Sequence, residues 1–416
     1  MQPINKLSIL MMCEYYMPFD RGGSEWSTHF LATELTRRGT EVNIFTPNFG
    51  SKNFEKIDEV PVYRFPSGLR LIHAARVLTP FYFSNPLWVL RSTFYLWLQL
   101  KKHPATHLHV QGKYLLPAAF IIGKILHIPI LITLRDYIPL CPYGYCLTRT
   151  NQFHACNFWK IISSDLQLLR KNRLQKYYPL ISELMAVYGW FVALSLRFFI
   201  RSSGGVVGVS QALANIYKVN DVVVHETIYN SCSFHPKKSI SQLTKDYVVF
   251  AGRFTKGKGF DLLMKAYASL KVVNKPRLIL LGDGPLRNLY SKYNDAQIEW
   301  KTHVSYKTVQ EYIRSALFTI VPSVWEEPFG RVALESVVQA VPVLVTNRGG
   351  LPEIVKISGG GLIIEPKLKS LQKGIIHMLQ KQRMYRTVLI RRRRILYRKF
   401  YIEPALQYEK LYLSLL

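Results

Sequence analysis

Cysteine is sparse in this sequence: Cys13, Cys141, Cys146, Cys156 and Cys232 are the whole complement of a 416-residue chain. An odd, scattered set argues against a disulfide framework and for a reducing compartment. Cys141, Cys146 and Cys156, with His154 nearby, match no zinc spacing, so reduced structural thiols are expected. Long apolar runs are missing too. The best, Leu184–Leu196, has 13 residues, short of the roughly 20 that span a bilayer. It is read as a core helix in preference to an interfacial one. The N-terminal MQPINKLSILMMCEYY has no secretory pattern, because Glu14 breaks a short apolar run. No segment is low-complexity or repeated. There is no D-x-D pair, the common device for holding a divalent metal against a diphosphate.

Acid is scarce as well. Asp plus Glu number 26 against 55 Lys plus Arg, a net charge of +29. That balance suits a polyanion: nucleic acid, anionic lipid or a phosphate-bearing substrate. No nucleic-acid module is recognisable, and the aromatics sit mainly in apolar runs. The basic clusters Leu169–Tyr178, Phe198–Arg201 and Arg391–Arg394, beside aliphatic and aromatic residues, suit an anionic membrane surface. A cytoplasmic protein, peripheral on the inner face of a membrane, is expected.

What is present is 49% hydrophobic residues in a chain too long for one core, which usually stops growing at about 250–300 residues. Short apolar runs alternate with amphipathic stretches: Leu7–Met12, Glu41–Pro47, Thr106–Gly112, Ile130–Asp136 and Gly204–Ser210 read as strands, and Trp26–Gly39 as a helix behind an N-capping Ser24. The pattern restarts with Tyr247–Phe254, Arg277–Gly284, Ala316–Ser323 and Val341–Asn347 as strands, and Phe260–Lys271 and Arg331–Ala340 as helices. Alternation of this kind implies α/β architecture with parallel sheets. Two doubly wound, Rossmann-like domains are expected, residues 1–235 and 236–395, with helix 396–416 returning to the first. The linker is placed in Asn230–Asp246. Ligands of open parallel sheets bind beyond the strand carboxyl ends, so the site is expected in a cleft between facing domains.

Three segments carry chemistry. In EEPFGRVALES, Glu327 and Glu335 flank a helix N-terminus whose free N–H groups, at Gly330, Arg331 and Val332, favour phosphate. Paired carboxylates beside a phosphate site suit the vicinal hydroxyls of a sugar. In GRFTKGKG, Arg253 and Lys258 stand five apart in a Gly-rich loop before a helix, able to neutralise a diphosphate; the spacing is not that of a Walker loop. In DRGGSEW, Gly22 and Gly23 follow the first strand and let a backbone approach a ligand. Gly282 and Gly284 form a further tight turn after a strand.

In this order the segments resemble family 4 of the retaining glycosyltransferases, with the GT-B fold. The resemblance is firmest over Tyr247–Pro366, and Glu327-x7-Glu335 is its most specific element. It implies that Arg253 and Lys258 bind the donor diphosphate, Glu335 the ribose and Glu327 the donor sugar. Gly22, Gly23, Gly282, Gly284, Gly330, Arg331 and Val332 would border the donor. The family commonly has His where Arg135 stands, in a segment that contacts the donor sugar or its phosphate. Arg135 can still meet a phosphate. The usual Gly of a loop near the base is Thr302. The expected reaction is metal-independent, retaining transfer from a nucleotide-diphosphate sugar to a lipid-linked or polysaccharide acceptor. It would run by front-side substitution, with no cofactor. Two alternatives stay open: a non-catalytic polyanion- or membrane-binding relative, and a nucleotide-sugar epimerase.

Overall fold

The computed structural model describes residues 7–71, 78, 80–141, 179–232, 246–288, 293, 295–302 and 304–416. The readings placed on Cys146, Cys156, His154 and Leu169–Tyr178, and most of the linker, lie outside the described residues. The chain divides into two compact units, Met1–Ser231 with Pro404–Leu416, and Cys232–Glu403.

The first unit is built on an eight-stranded sheet. Its strands are β1 (Ser8–Met12), β2 (Glu41–Asn48), β3 (Phe54–Ile57), β4 (Val60–Pro66), β5 (His107–Val110), β6 (Ile130–Leu134), β7 (Gly205–Gly208) and β8 (Glu226–Thr227), in the order β3-β4-β2-β1-β5-β6-β7-β8. Among the described strands only the β3–β4 pair is antiparallel. Among its described residues the helices are α1 (Gly23–Arg37), α2 (Pro80–Ser84), α3 (Pro86–Lys102), α4 (Leu116–Leu126), α5 (Pro179–Arg201) and α6 (Gln211–Val219). Every residue of β1 is buried, because helices cover both sheet faces. The period of two sorts the side chains. Ile9, Met11 and Leu131 join Leu31 and Leu35 of α1 in one core, while a Cβ at Gly123 of α4 would run into Ile130. The steps β5–α4–β6 and β6–α5–β7 proceed the same way across the sheet, so right-handed crossovers put α4 and α5 on the face opposite α1.

Two expectations are corrected. Gly22, not Ser24, is the N-cap of α1, with no side-chain capping bond; the helix starts early, and Ser24 lies inside its first turn, where its carbonyl accepts from Thr28. The run Leu184–Leu196 lies within α5 but is only half core: Ala193 and Leu196 are buried, whereas Leu184 and Phe191 are exposed.

The second unit has six parallel strands, β9 (Tyr247–Ala251), β10 (Arg277–Leu281), β11 (Ile298–Lys301), β12 (Thr319–Val321), β13 (Val343–Thr346) and β14 (Gly361–Ile364), in the order β11-β10-β9-β12-β13-β14. Among its described residues the helices are α7 (Phe260–Ala268), α8 (Tyr306–Ser315), α9 (Arg331–Val338), α10 (Leu351–Ser358), α11 (Leu368–Arg391) and α12 (Arg393–Tyr397). Val248, Phe250, Leu278 and Leu280 point to one core, and Tyr247, Val249, Ile279 and Leu281 to the other. Beyond α12, α13 (Glu403–Ser414) returns to the first unit. There the Tyr408 hydroxyl meets Thr133 and the Tyr412 hydroxyl meets His109.

Candidate functional site

In the second unit the strand sequence runs outward in opposite directions from the adjacent pair β9 and β12. Such a reversal opens a crevice at the strand carboxyl ends. The loops that leave these two strands are Gly252–Gly259 and Pro322–Gly330, the two segments singled out by their chemistry.

The loops are locked to each other. Gly257 accepts backbone bonds from Val324 and Trp325. A Cβ at Gly259, whose φ is +68°, would lie 1.8 Å from the Pro322 carbonyl oxygen. Lys258 then reaches Glu327, Nζ to Oε1 at 2.6 Å, and its ammonium sits 5.2 Å from the Trp325 ring centroid. Ser323 Oγ and Trp325 Nε1 donate to the same oxygen at 2.6 and 3.0 Å. Among the described residues no donor reaches Oε2 of Glu327, so that oxygen keeps its lone pairs. Burial pushes this carboxyl up, but the Lys258 ammonium and the Ser323 and Trp325 donors outweigh it and hold it below its ordinary value. Gly349 and Gly350 brace the backbone: Gly350 N–H donates to the Glu327 carbonyl, and a Cβ at Gly349 would collide with that oxygen.

Glu335, in α9, is more heavily engaged. Oε1 takes Arg331 Nε at 2.6 Å and the Tyr306 hydroxyl at 3.0 Å, and Oε2 takes Gln310 Nε2 at 2.8 Å. A carboxylate offers about four lone-pair positions, so one remains. Burial lowers Arg331, but Glu335 and Tyr306 raise it above its usual value. Gly330 is the N-cap of α9 at φ 95°, with no side-chain cap, so the first turn of α9, at Arg331 and Val332, presents the positive end of the helix dipole to an anion.

Gly282 and Gly284 bear on the site through packing. A Cβ on Gly282 would lie 2.2 Å from the Gly252 carbonyl oxygen, and one on Gly284 2.7 Å from the Phe254 nitrogen. The two turns therefore touch backbone to backbone, pinned by the bond from Trp300 Nε1 to the Gly282 carbonyl. Arg253 is exposed, and among the described residues its guanidinium has no side-chain partner.

In the first unit the sheet reverses between β1 and β5. Gly22 and Gly23 open α1 just beyond β1, and nothing lies within 4 Å of a Cβ built on Gly22. Arg135 follows β6. Its Nε and Nη2 donate to Gln111 Oε1, and its Nη1 donates to Asn230 Oδ1 at 2.6 Å. Gln111 meets His109, which holds the Tyr412 hydroxyl. A half-buried carboxyl, Glu14, and a buried one, Glu25, lie nearby, and desolvation raises both above their ordinary values. Among the described residues no group of three or more His, Cys, Asp or Glu is placed to hold a metal ion.

The structure thus brings Lys258 onto Glu327 and Arg331 onto Glu335, and sets Gly282 and Gly284 under the Arg253 loop. Gly22, Gly23 and Arg135 belong to the other unit. Sequence reasoning missed Ser323, Trp325, Tyr306 and Gln310. Tyr306 and Gln310 stand four apart, one turn of a helix, but nothing local marks them as partners of Glu335.

Family models described as Glycosyltransferase Family 4 and Glycosyl transferases group 1 match residues 21–230 and 233–394. An uncharacterized glycosyltransferase of Methanocaldococcus jannaschii is 30% identical over 203 residues, 46% of this chain and 55% of the relative. The N-acetyl-alpha-D-glucosaminyl L-malate synthase of Bacillus anthracis is 27% identical over 240 residues, 53% of this chain and 62% of the relative. The chain thus spans less than two thirds of these relatives' length. Among solved structures, sucrose-phosphate synthase from Thermosynechococcus elongatus has a TM-score of 0.72 at 18% identity, covering 98% of this chain and 99% of that one. Anabaena HepE in complex with UDP and glucose has a TM-score of 0.67 at 16% identity, covering 99% and 100%. The two α/β units are those of the GT-B fold.

Proposed function

The chain belongs to Glycosyltransferase Family 4, and from that premise we propose that it moves a sugar from a nucleoside-diphosphate donor to a glycan or lipid-linked acceptor, with retention at the anomeric carbon and without a metal. The observation that carries this is the Lys258–Glu327 contact at the β9/β12 reversal. It sets a fixed cation and a carboxylate oxygen with open lone pairs side by side, beside the uncapped start of α9. The family membership and the UDP held by a neighbour of the same fold support the choice of donor class.

In this reading the diphosphate lies against Lys258, Arg253 and the first turn of α9 at Arg331 and Val332. Charge grows on the diphosphate as the bond to the anomeric carbon breaks, and cations and dipoles already in place stabilise it without reorganisation. Glu327 Oε2 accepts from hydroxyls of the sugar, and the last lone pair of Glu335 accepts from the ribose. The departing phosphate takes the proton of the incoming acceptor hydroxyl on the same face. Two protein cations supply the positive charge, so no divalent ion is needed. Arg135 is held by Gln111 and Asn230 with its guanidinium already oriented, a pose suited to a phosphate oxygen. The acceptor is read as lipid-linked glycan or surface polysaccharide, met at an anionic membrane.

The test is a panel of UDP-, GDP- and ADP-sugars incubated with the purified chain, read by release of the nucleoside diphosphate and by proton NMR of the anomeric centre. Turnover of one donor with the α-configuration kept supports the proposal. An inverted product overturns the retaining step, and no turnover of any donor with any glycan or lipid acceptor overturns the transfer.

A further inference from the structure

The helical layer α2–α5 covers one face of the first unit's sheet, and its outer surface is rich in exposed apolar side chains. About half of the large apolar side chains exposed among the described residues lie on these four helices. Leu87 is 76% exposed, Leu90 68% and Ile125 62%; Phe94, Phe191 and Phe198 are more than half exposed. Leu87, Leu90 and Phe94 recur at three and four residues along one stripe of α3, and Phe191 and Phe198 lie two turns apart on α5. The stripes are joined. Phe120 of α4 lies 6.0 Å from Phe198 and 5.0 Å from Phe199 of α5, and Phe81 of α2 lies 5.5 Å from Tyr188 of α5. A soluble monomer rarely shows so much contiguous apolar surface without a partner for it.

Charge says what the partner is. The helices α2, α3 and α4 contain no Asp or Glu, and α5 contains one, at position 183. Arg91, Lys101, Lys102 and Lys124 are exposed on the same layer. Two of them lie over aromatic rings, Lys101 at 3.7 Å from the Trp97 centroid and Lys124 at 5.9 Å from Phe120. Such a lysine keeps its methylene stem on apolar surface while its ammonium faces outward. No helix of the described residues is long and apolar enough to cross a membrane. Apolar stripes interleaved with cations and almost free of acid suit a surface lying in the plane of an anionic bilayer.

We infer that the outer face of α2–α5 is the surface by which this chain docks on an anionic lipid bilayer, with Leu90, Ile125 and Phe191 inserting among the lipids and the lysines meeting the headgroups. The inference rests on the membrane part of the proposed function and makes no use of the donor site.

It is tested by co-sedimentation of the full chain, without donor, with vesicles of phosphatidylcholine alone or mixed with phosphatidylglycerol. The wild type pellets with the mixed vesicles and not with the neutral ones. Leu90→Glu, Ile125→Glu or Phe191→Glu each lowers partitioning about tenfold or more, and each of Lys101→Gln, Lys102→Gln and Lys124→Gln lowers it about fivefold. Leu90→Ser and Phe191→Ser serve as milder variants should an acidic one fail to fold, judged by circular dichroism. A wild type that ignores the mixed vesicles overturns both this face and the membrane reading. Binding that survives the α3–α5 variants overturns the face and leaves the membrane reading standing. A wild type that dimerises through these residues, with vesicle binding unchanged in its monomeric variants, overturns the face as well. Donor hydrolysis in solution by the same variants reports separately on the proposed chemistry.

Discussion

Replacing Lys258 by Met keeps the stem and removes the charge. The Glu327 side chain is 6% exposed and that of Lys258 28%, so the variant leaves a buried carboxylate without its cation. One-sided removal from a buried pair costs about 3–5 kcal/mol. The lower end applies, at roughly 3 kcal/mol, because Ser323 and Trp325 still donate to Oε1 and Lys258 is partly solvated. At about 2–4 °C per kcal/mol for a domain of this size, the melting temperature falls by roughly 6–12 °C. Urea denaturation followed by tryptophan fluorescence measures the loss. Adding Glu327→Gln removes the stranded charge, so the double variant loses less than the sum of the singles by about 1.5 kcal/mol. The pH dependence has a definite sign. Glu327 titrates below its ordinary 4.5, so its stabilising contribution is complete above that value and is lost as pH falls through the folded-state value. Without Lys258, burial meets less opposition, and the loss sets in at higher pH. Turnover falls by at least about a hundredfold, the cost of one stabilising group at a growing negative charge. Strictly additive stabilities, or turnover near that of the wild type, contradict a coupled Lys258–Glu327 pair at the donor.

Arg253→Ala reduces turnover about a hundredfold yet shifts stability by no more than about 0.5 kcal/mol, the usual range for exposed positions; a large fall in melting temperature contradicts the free guanidinium. Gly282→Ala drives a Cβ onto the Gly252 carbonyl at a φ of +138° and costs at least about 2 kcal/mol in urea. Glu25→Gln relieves a buried carboxylate whose Oε2 has no partner. Because burial raises this carboxyl, the folded state binds its proton more readily than the unfolded one. The variant is therefore more stable than wild type at neutral pH, by about 1–3 kcal/mol, and the gain shrinks as pH falls toward 4.5. EDTA leaves turnover unchanged; a loss restored by Mg²⁺ or Mn²⁺ contradicts transfer without metal.

The strands buried on both faces were legible in sequence because a parallel strand between helices reads as one apolar run, as in Tyr247–Ala251 and Val343–Thr346. The β3–β4 hairpin was not, since Phe54–Ile57 is an edge strand with exposed and half-buried positions. Strand β11 escaped for the same reason: Ile298 is its one buried residue. At the site, the carboxylates and cations stood out by spacing, but no spacing reveals that Lys258 meets Glu327 across 69 positions. That contact follows from β9 lying beside β12, a fact of topology. The glycines of Gly282–Gly284 were legible as a turn, whereas their packing on the Gly252–Phe254 backbone needs both loops in place. The apolar face of α3 and α4 was not legible either, because exposed and buried leucines look alike until the helices are laid on the sheet.

Isothermal titration of UDP, GDP and ADP into the wild type and into Arg253→Ala/Lys258→Met measures whether these two cations hold the diphosphate. One nucleotide is expected to bind the wild type, and the double variant, still folded, to bind it at least about a hundredfold more weakly, as follows from losing two charge-assisted contacts. Equal affinity for that nucleotide in both proteins would contradict a diphosphate held at this pair of cations.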